Sequence, residues 1–416
     1  MRLRIKDLAT KVGSGVTPKG GASVYQDNGI PLFRSQNVTN DGFLLDDIAY
    51  ISEEIHKSMI GTRLMPNDVL LNITGASIGR CYYLPKNFKE GNVNQHVCII
   101  RPKVNVVIPA FLYYNLISAV GQQMIDVCQT GANREGLTKE DICNFEFDIP
   151  SLADQQRMVT YLDTKLSEID HKVSILTSKR DAYLRLKKSI INHAVTRGLN
   201  PNVKMKDSGI EWIREVPEHW EVCRFKNAFR QWTTGITPDS KNYKYFESDI
   251  CKGYTWVTIS DFLEKYISQS NLNLSDESIK LFMPPLSLKG SLMFSFKLSV
   301  GKIAFADKDL YTNEAIVSIP PKNGQCLEYY YYMLPNVLHE NATENIYGAK
   351  MLNQKIIANM LMVVPPLPEQ RAIATYLDDK CAKIDTIVSN LDKQISRYGD
   401  LKRSLIDEVI TGKRAV

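Results

Sequence analysis

The chain has 416 residues, 44% of them hydrophobic and 23% charged, with a formal net charge of +5. That length supports two or more domains, each with its own core, and the composition excludes a disordered, fibrous or disulfide-scaffold class. Residues 1–149 carry as many acidic as basic groups, so a nucleic-acid surface would have to arise from local clustering and not from bulk charge.

The first ten residues, Met1 to Thr10, include basic groups but no apolar run behind them, unlike a signal peptide. No later segment has the apolar length needed to cross a bilayer. The eight cysteines, at 81, 98, 128, 143, 223, 251, 326 and 381, form no C-x-x-C pair or Cys/His cluster. They read as free thiols in a reducing cytoplasm, with no metal site.

Residues 1–149 read as a mixed α/β domain. Asp68–Ile73 and His96–Ile100 are short apolar runs with strand character, and Phe111–Leu116 has helix character. Residues 150–197 read as one long helix opened by a proline turn and closed near Gly198. Residues 198–221 form a polar, turn-rich connector holding Trp212 and Trp220, which should dock on a domain. Residues 222–364 read as a second mixed α/β domain, and 365–416 as a second long helix closed near Gly412.

The two helical stretches are copies of each other. Aligned from Pro150 and Pro365 without a gap to Thr196 and Thr411, roughly two in five positions are identical, including Thr-Tyr-Leu-Asp at 160–163 and 375–378. Apolar residues recur every seven positions at Leu162, Ile169, Leu176, Tyr183 and Ile190, and at Leu377, Ile384, Leu391, Tyr398 and Leu405. A second row three residues earlier runs through Val159, Leu166, Val173, Arg180, Lys187 and Ala194, and through Ala374, Cys381, Val388, Ile395, Lys402 and Val409. This is coiled-coil spacing, and the charged members weaken the seam while fixing its register. Roughly forty residues per helix at 1.5 Å each give a rod of about 60 Å, longer than a turn of B-DNA at about 34–36 Å.

The globular segments echo each other more faintly. Gly15-Val16-Thr17-Pro18 matches Gly235-Ile236-Thr237-Pro238, Ser77-Ile78-Gly79-Arg80 matches Ser299-Val300-Gly301-Lys302, Asn94-Gln95 matches Asn313-Glu314, and Gly131-Ala132 matches Gly348-Ala349. The expected fold class is therefore α+β: two mixed α/β recognition domains alternating with two long helices that pair as an antiparallel coiled coil, the whole with an internal pseudo-two-fold. One fold with different surface residues suits two modules that read two different sequences.

The proline-led helix openings at Pro150 and at Pro365-Pro366-Leu367-Pro368-Glu369-Gln370-Arg371, the connector Lys206-Asp207-Ser208-Gly209-Ile210-Glu211-Trp212 with Pro217-Glu218-His219-Trp220, and the Gly-Arg or Gly-Lys turn followed by Asn94-Gln95-His96 together resemble the specificity subunits of type I restriction–modification systems. The resemblance spans essentially the whole chain. It implies that each recognition domain reads one half of a split double-stranded DNA target, that the helices set the spacing and dock two methyltransferase subunits, and that restriction subunits join them. It also implies that S-adenosylmethionine, ATP and magnesium sit on those partners and not on this chain. Ala153-Asp154-Gln155-Gln156 against Pro368-Glu369-Gln370-Arg371, and Gln95 against Glu314, break the symmetry between halves.

Catalytic motifs of its own are not expected. An adenine methyltransferase needs an Asn/Asp-Pro-Pro-aromatic motif for the flipped base. The double prolines Pro284-Pro285-Leu286, Pro320-Pro321-Lys322 and Pro365-Pro366-Leu367 lack those flanks. Gly75-Ala76-Ser77-Ile78-Gly79-Arg80 lacks the lysine and hydroxyl of a phosphate loop. Asp163-Thr164-Lys165 and Asp378-Asp379-Lys380 have nuclease-like spacing but lie on heptad helices, where solvated charge is the simpler reading.

Base reading in the first domain is assigned to Arg34, Ser35, Gln36 and Asn37, with Lys19, Arg80 and Arg134 as phosphate anchors beside Asn94, Gln95 and His96. The second-domain counterparts are Thr258, Ser260, Lys297, Lys302, Asn313 and Lys350. Asn94 and Asn313 have an alternative role as structural caps. A stand-alone DNA-binding regulator is the alternative function, which an apolar outer stripe on the helices would disfavour. A scaffold joining proteins through coiled coils is a third.

Overall fold

A computed structural model describes residues 1–129, 136–247, 249, 252–297, 299–321, 324–344, 348 and 350–416. The chain divides into two units, one built from residues 1–178 and 391–416, the other from 179–390. Each unit therefore takes one half of each long helix.

In the first unit, an antiparallel sheet runs in the order Ala9–Ser14, Val97–Pro102, Val69–Asn72, Cys81–Tyr83. The buried run Val69, Leu70, Leu71 and Asn72 pairs with Val97–Ile100, and burial on both faces is why these strands read as continuous apolar runs. A second sheet has Ile30–Phe33 at its centre, antiparallel to Ala49–Ile51 and parallel to Asn92–Val93. The N-terminal strand Arg2–Arg4 pairs with Glu146–Asp148, and the terminal ammonium donates to Ile149 O at 3.1 Å. One core joins the sheet face and the helix Pro109–Ile117 to the long helices through Ile5, Leu8, Phe111, Leu162, Leu405 and Val409. Each such fully buried side chain is worth about 1.5–3 kcal/mol.

The second unit repeats the plan. Its larger sheet runs Thr233–Thr234, Ile316–Ile319, Leu292–Ser295, Ile303–Ala306, Tyr266–Ile267. Its smaller sheet places Tyr254–Val257 parallel to Tyr311–Thr312, as Ile30–Phe33 lies parallel to Asn92–Val93. Glu221–Arg224 pairs with Leu361–Val364 where the first unit pairs its N-terminal strand. The connector is ordered: Met205–Asp207 pairs with Glu215–Pro217, and the fully buried Trp220 donates its Nε1–H to Glu369 at 2.9 Å.

The central helix runs Leu152–Arg197 and the distal helix Leu367–Ile410. Ser151 Oγ accepts the Asp154 amide at 3.2 Å at the start of the first, the role of an N-cap. Gly198 and Gly412, at φ +75° and +71°, stop the two helices, a conformation that suits glycine after a helix.

The helices pair antiparallel, because contact numbers fall on one as they rise on the other. In the first unit Tyr161 meets Arg414 at 3.3 Å, Asp170 meets Lys402 at 2.7 Å, and Lys172 sits over the Tyr398 ring at 6.0 Å. In the second unit Lys187 meets Asp385 at 2.6 Å. Asp170 and Asp385 are repeat equivalents, as are Lys187 and Lys402, so the same ion pair is made twice. No position of the two heptad rows is exposed. No helix among the described residues is long and apolar enough to cross a membrane.

Candidate nucleic-acid interface

Both units build the same polar corner where a central strand ends. In the first, Ile30–Phe33 runs into a single tight turn at Ser35–Asn37. Asn37 is buried and holds that turn: its Oδ1 accepts the Arg34 amide at 2.9 Å, and its Nδ2 donates to Leu44 O at 2.9 Å and Asp47 O at 3.2 Å. In the second, Asp261 does the same after Tyr254–Val257, accepting the Thr258 amide at 2.7 Å and the Thr258 hydroxyl at 2.9 Å. A carboxylate or amide oxygen four residues after the strand end satisfies the turn's free N–H.

The second wall of the corner is the Asn94 or Asn313 turn. Asn94 donates its amide to Phe33 O at 3.1 Å and accepts the His96 amide on Oδ1 at 3.1 Å. Asn313 donates its amide to Val257 O at 3.0 Å and accepts the Ala315 amide at 3.1 Å. Both asparagines act as local caps. Gly15 and Gly235 close the corner from below. An added Cβ would lie 2.0 Å from Val93 O in one and 1.7 Å from Thr312 O in the other, a backbone approach open to glycine alone.

These turns bring most of the sequence-derived candidates together. Asn72 ties them: its Nδ2 donates to Ser35 O at 2.7 Å and its amide to Arg80 O at 2.8 Å. His96 Nδ1 meets the Thr74 hydroxyl at 2.6 Å, and Gln95 meets His96 Nε2 at 3.2 Å. Gln36, Arg80 and Gln95 are exposed there, and Arg80 pairs with no carboxylate among the described residues. Arg34 is held instead: it is half-buried, donates from Nη2 to Asp47 O at 2.7 Å, and lies 5.8 Å above the Tyr25 ring. Gln36 also donates to Asp47. Lys19 is exposed on the turn in which Gly21 donates to Pro18 O at 2.9 Å. Arg134 lies outside the described residues.

In the second unit Ser260 is exposed and shares a hydrogen bond with Thr258 at 2.7 Å, while Lys302 donates to Ile259 O at 3.1 Å. Lys297 is half-buried with its ammonium 5.5 Å from the Phe296 ring. Lys350 is exposed and lines a groove of about 670 Å³ with Arg185, Lys188, Asn192 and His339. Asp47, Asn72, Thr74 and Asp261, which hold the corners, went unseen in the sequence. Only Asp261 carried a signal, standing where Asn37 stands after its own strand.

The two corners share a backbone and differ in side chains, Arg34-Ser35-Gln36-Asn37 against Thr258-Ile259-Ser260-Asp261. Two similar domains in one chain, each in a unit that takes part of both long helices, define a duplicated class of subunit, and comparison with known proteins agrees. The family model described as "Type I restriction modification DNA specificity domain" matches residues 1–176 and 217–397. The specificity subunit of the type I restriction enzyme EcoKI from Escherichia coli K12 is 21% identical over 96% of this chain and 86% of its own length. A putative MjaX specificity subunit from Methanocaldococcus jannaschii is 20% identical over 98% and 92%. The MjaIX specificity subunit of the same organism is 27% identical over 44% of this chain, which there spans 41% of that relative. Among solved structures, a chain from work on complex assembly and conformational transition of the type I R-M system superposes with a TM-score of 0.74 over 99% of this chain and 97% of its own, at 14% identity. The specificity subunit HsdS of Thermoanaerobacter tengcongensis gives 0.54 over 100% and 97%, at 15% identity.

The chain belongs to the type I restriction–modification DNA specificity family. It is a specificity subunit, the non-catalytic DNA-recognition component of such a system.

Proposed function

We propose that the chain binds a bipartite, asymmetric double-stranded DNA target, the first unit reading one half and the second unit the other. The observation that carries this is the duplicated corner: one backbone frame, with exposed residues exchanged between copies. Exposed Gln36, Gln95 and Arg80 stand against exposed Ser260 and Glu314 and the half-buried Lys302, whose ammonium donates to Ile259 O. In this reading Arg34, Ser35, Asn37, Asn94, His96, Thr258 and Asn313 hold the corners, and Gln36, Gln95, Ser260 and Glu314 reach base edges. Lys19, Arg80, Lys297, Lys302 and Lys350, with Arg134, contact phosphates, which position without specifying.

Two methyltransferase subunits and the restriction subunits would dock on the helices, bringing S-adenosylmethionine, ATP and magnesium with them, in the cytoplasm. Ile175, Leu184, Leu186 and Leu401 are exposed apolar residues on the two long helices.

The test is adenine-methylation mapping in a host carrying the chain with its methyltransferase subunit. Deleting the chain should abolish a split motif with unequal halves. Gln36→Ala with Gln95→Ala should relax one half only, at a cost of about 1–3 kcal/mol for a lost base contact. Equal loss at both halves would refute modular reading.

A further inference from the structure

The two units differ sharply at one place, a tyrosine cage on the Thr-Tyr-Leu-Asp repeat. In the second unit Asp378 accepts the Tyr332 hydroxyl at 2.5 Å and pairs with Lys265 at 2.6 Å. The Lys265 ammonium also lies 5.0, 5.6 and 5.8 Å from the ring centres of Tyr331, Tyr332 and Tyr266. A cation among aromatic faces and beside a carboxylate is a matched set.

The first unit shares the tyrosine pair and the carboxylate, Tyr113 and Tyr114 matching Tyr331 and Tyr332, while Tyr82 and Tyr83 stand where the second unit has Ala304 and Phe305, and Gly42 where it has Tyr266. Asp163, the repeat equivalent of Asp378, accepts the Tyr114 hydroxyl at 2.5 Å. Tyr82, Tyr83, Tyr113 and Tyr114 pack with centroid spacings of 4.9 to 5.6 Å. Counting eight residues on from the strand ends at Phe33 and Val257 leads to Asp41 in the first unit and Lys265 in the second. The Tyr113 hydroxyl donates to the carbonyl of neighbouring Asn40, so this segment does reach the cage. The internal cation has thus been exchanged for an acid.

Asp41 turns to Lys402, which also binds Asp170. Lys402 lines the cavity but caps none of these rings, and Asp163 pairs with no cation among the described residues. The cavity left has a volume of about 930 Å³ and carries Asp163, Asp170 and Asp407 on its walls, together with Arg403, whose guanidinium pairs with Asp400.

We propose that this first-unit cage takes a lysine or arginine side chain presented by a partner polypeptide, standing where Lys265 stands in the second unit. The internal lysine is the template for the ligand: an ammonium on an aliphatic stem, brought in by a loop. DNA cannot supply that group, so the site is separate from the base-reading corners, and its test uses no DNA.

The probe is a glycine–lysine–glycine tripeptide blocked at both ends, coupled to the folded full chain with a carbodiimide and located by peptide mapping. Asp163 should couple at least about tenfold more than Glu53, an exposed carboxylate that pairs with Lys57, and saturably, since one added charged contact in such a cage corresponds to a tenfold or greater preference. Asp378 should not couple in the native chain and should do so in Lys265→Ala, which opens the second cage. Asp41→Lys, which restores an internal cation, should suppress coupling at Asp163. The acetyl-lysine tripeptide should not protect Asp163, and the lysine tripeptide should protect it better than spermidine does. Coupling at Asp163 no greater than at Glu53, an unreactive Asp378 in Lys265→Ala, or unchanged coupling in Asp41→Lys would overturn the proposal. Stronger protection by spermidine would overturn the polypeptide partner and assign the cage to a free polyamine.

Discussion

Gln155 and Gln370 tie domain to helix in the two units. Each is fully buried. Gln155 accepts the Ile108 amide at 2.8 Å and donates to Val106 O and Pro150 O, both at 3.0 Å. Gln370 accepts the Cys326 amide at 2.9 Å and donates to Pro365 O at 2.8 Å. Gln155→Leu keeps the volume but strands a buried N–H and two carbonyls. Each stranded group costs about 1–3 kcal/mol, part of which water recovers, so the urea midpoint should drop by the equivalent of about 2–4 kcal/mol. The tyrosines set an alkaline limit. Burial first, and then the hydrogen bond to Asp163 or Asp378, pushes the Tyr114 and Tyr332 phenols far above their ordinary value. A phenol whose folded value is raised contributes stability that is complete below the unfolded value, about 10, and is lost as pH climbs past it. Burial also pushes the Cys81 and Cys98 thiols up, so unfolding free energy should begin to fall once pH passes the unfolded thiol value, about 8.5, and fall more steeply above pH 10. The slope should be shallower in the Tyr114→Phe, Tyr332→Phe variant.

The helices were legible as elements because a seven-residue period survives in the sequence whatever packs on it, and the proline and glycine stops are local. Lys187 and Lys402 stood out as charged members of the seam, and each turns out to be paired across it, with Asp385 and Asp170. Those acids are more than half exposed, so removing the lysines strands no buried charge. Lys187→Leu with Lys402→Leu should therefore raise the denaturation midpoint by about 1 kcal/mol per site while loosening register. A fall in stability would mean that the pairs hold the seam and do more than choose its alignment. The strands at 69–72 and 97–102 were visible as apolar runs for the same local reason. The corner residues were not. Asp47 reaches back to Arg34 and Gln36, and Asn72 back from another sheet to Ser35, through contacts that no spacing rule encodes. The exchange of Lys265 for Asp41 was equally hidden, since the globular halves align only once their strands are placed.

At the scale of the whole molecule, the duplication makes each half of the sequence nearly self-complementary. Asp170 and Lys187 both lie on the central helix, and their repeat equivalents are the partners they use. Two copies of residues 1–221 should therefore pair through their central helices in antiparallel fashion, making the Lys187–Asp170 bridge twice. Size-exclusion chromatography with light scattering should find a dimer. A monomer would show that the Lys402 and Asp385 context is needed beyond the repeated residues. Such a dimer carries two copies of the first corner, so on the split-target reading it would select a symmetric site.

The first unit is closed by the last 26 residues of the chain, 391–416, and this bears on how the protein is made. A ribosome finishes the first recognition domain early, yet Val159, Leu162 and Ile169 lack Leu405 and Val409 until those residues have been made. At elongation rates of about 5–20 residues per second that interval is roughly 10–50 s. The second unit, contiguous in sequence, meets no such delay. The nascent chain thus spends most of its birth with one apolar seam open, and a chaperone, or a partner subunit acting as one, has its best opportunity there.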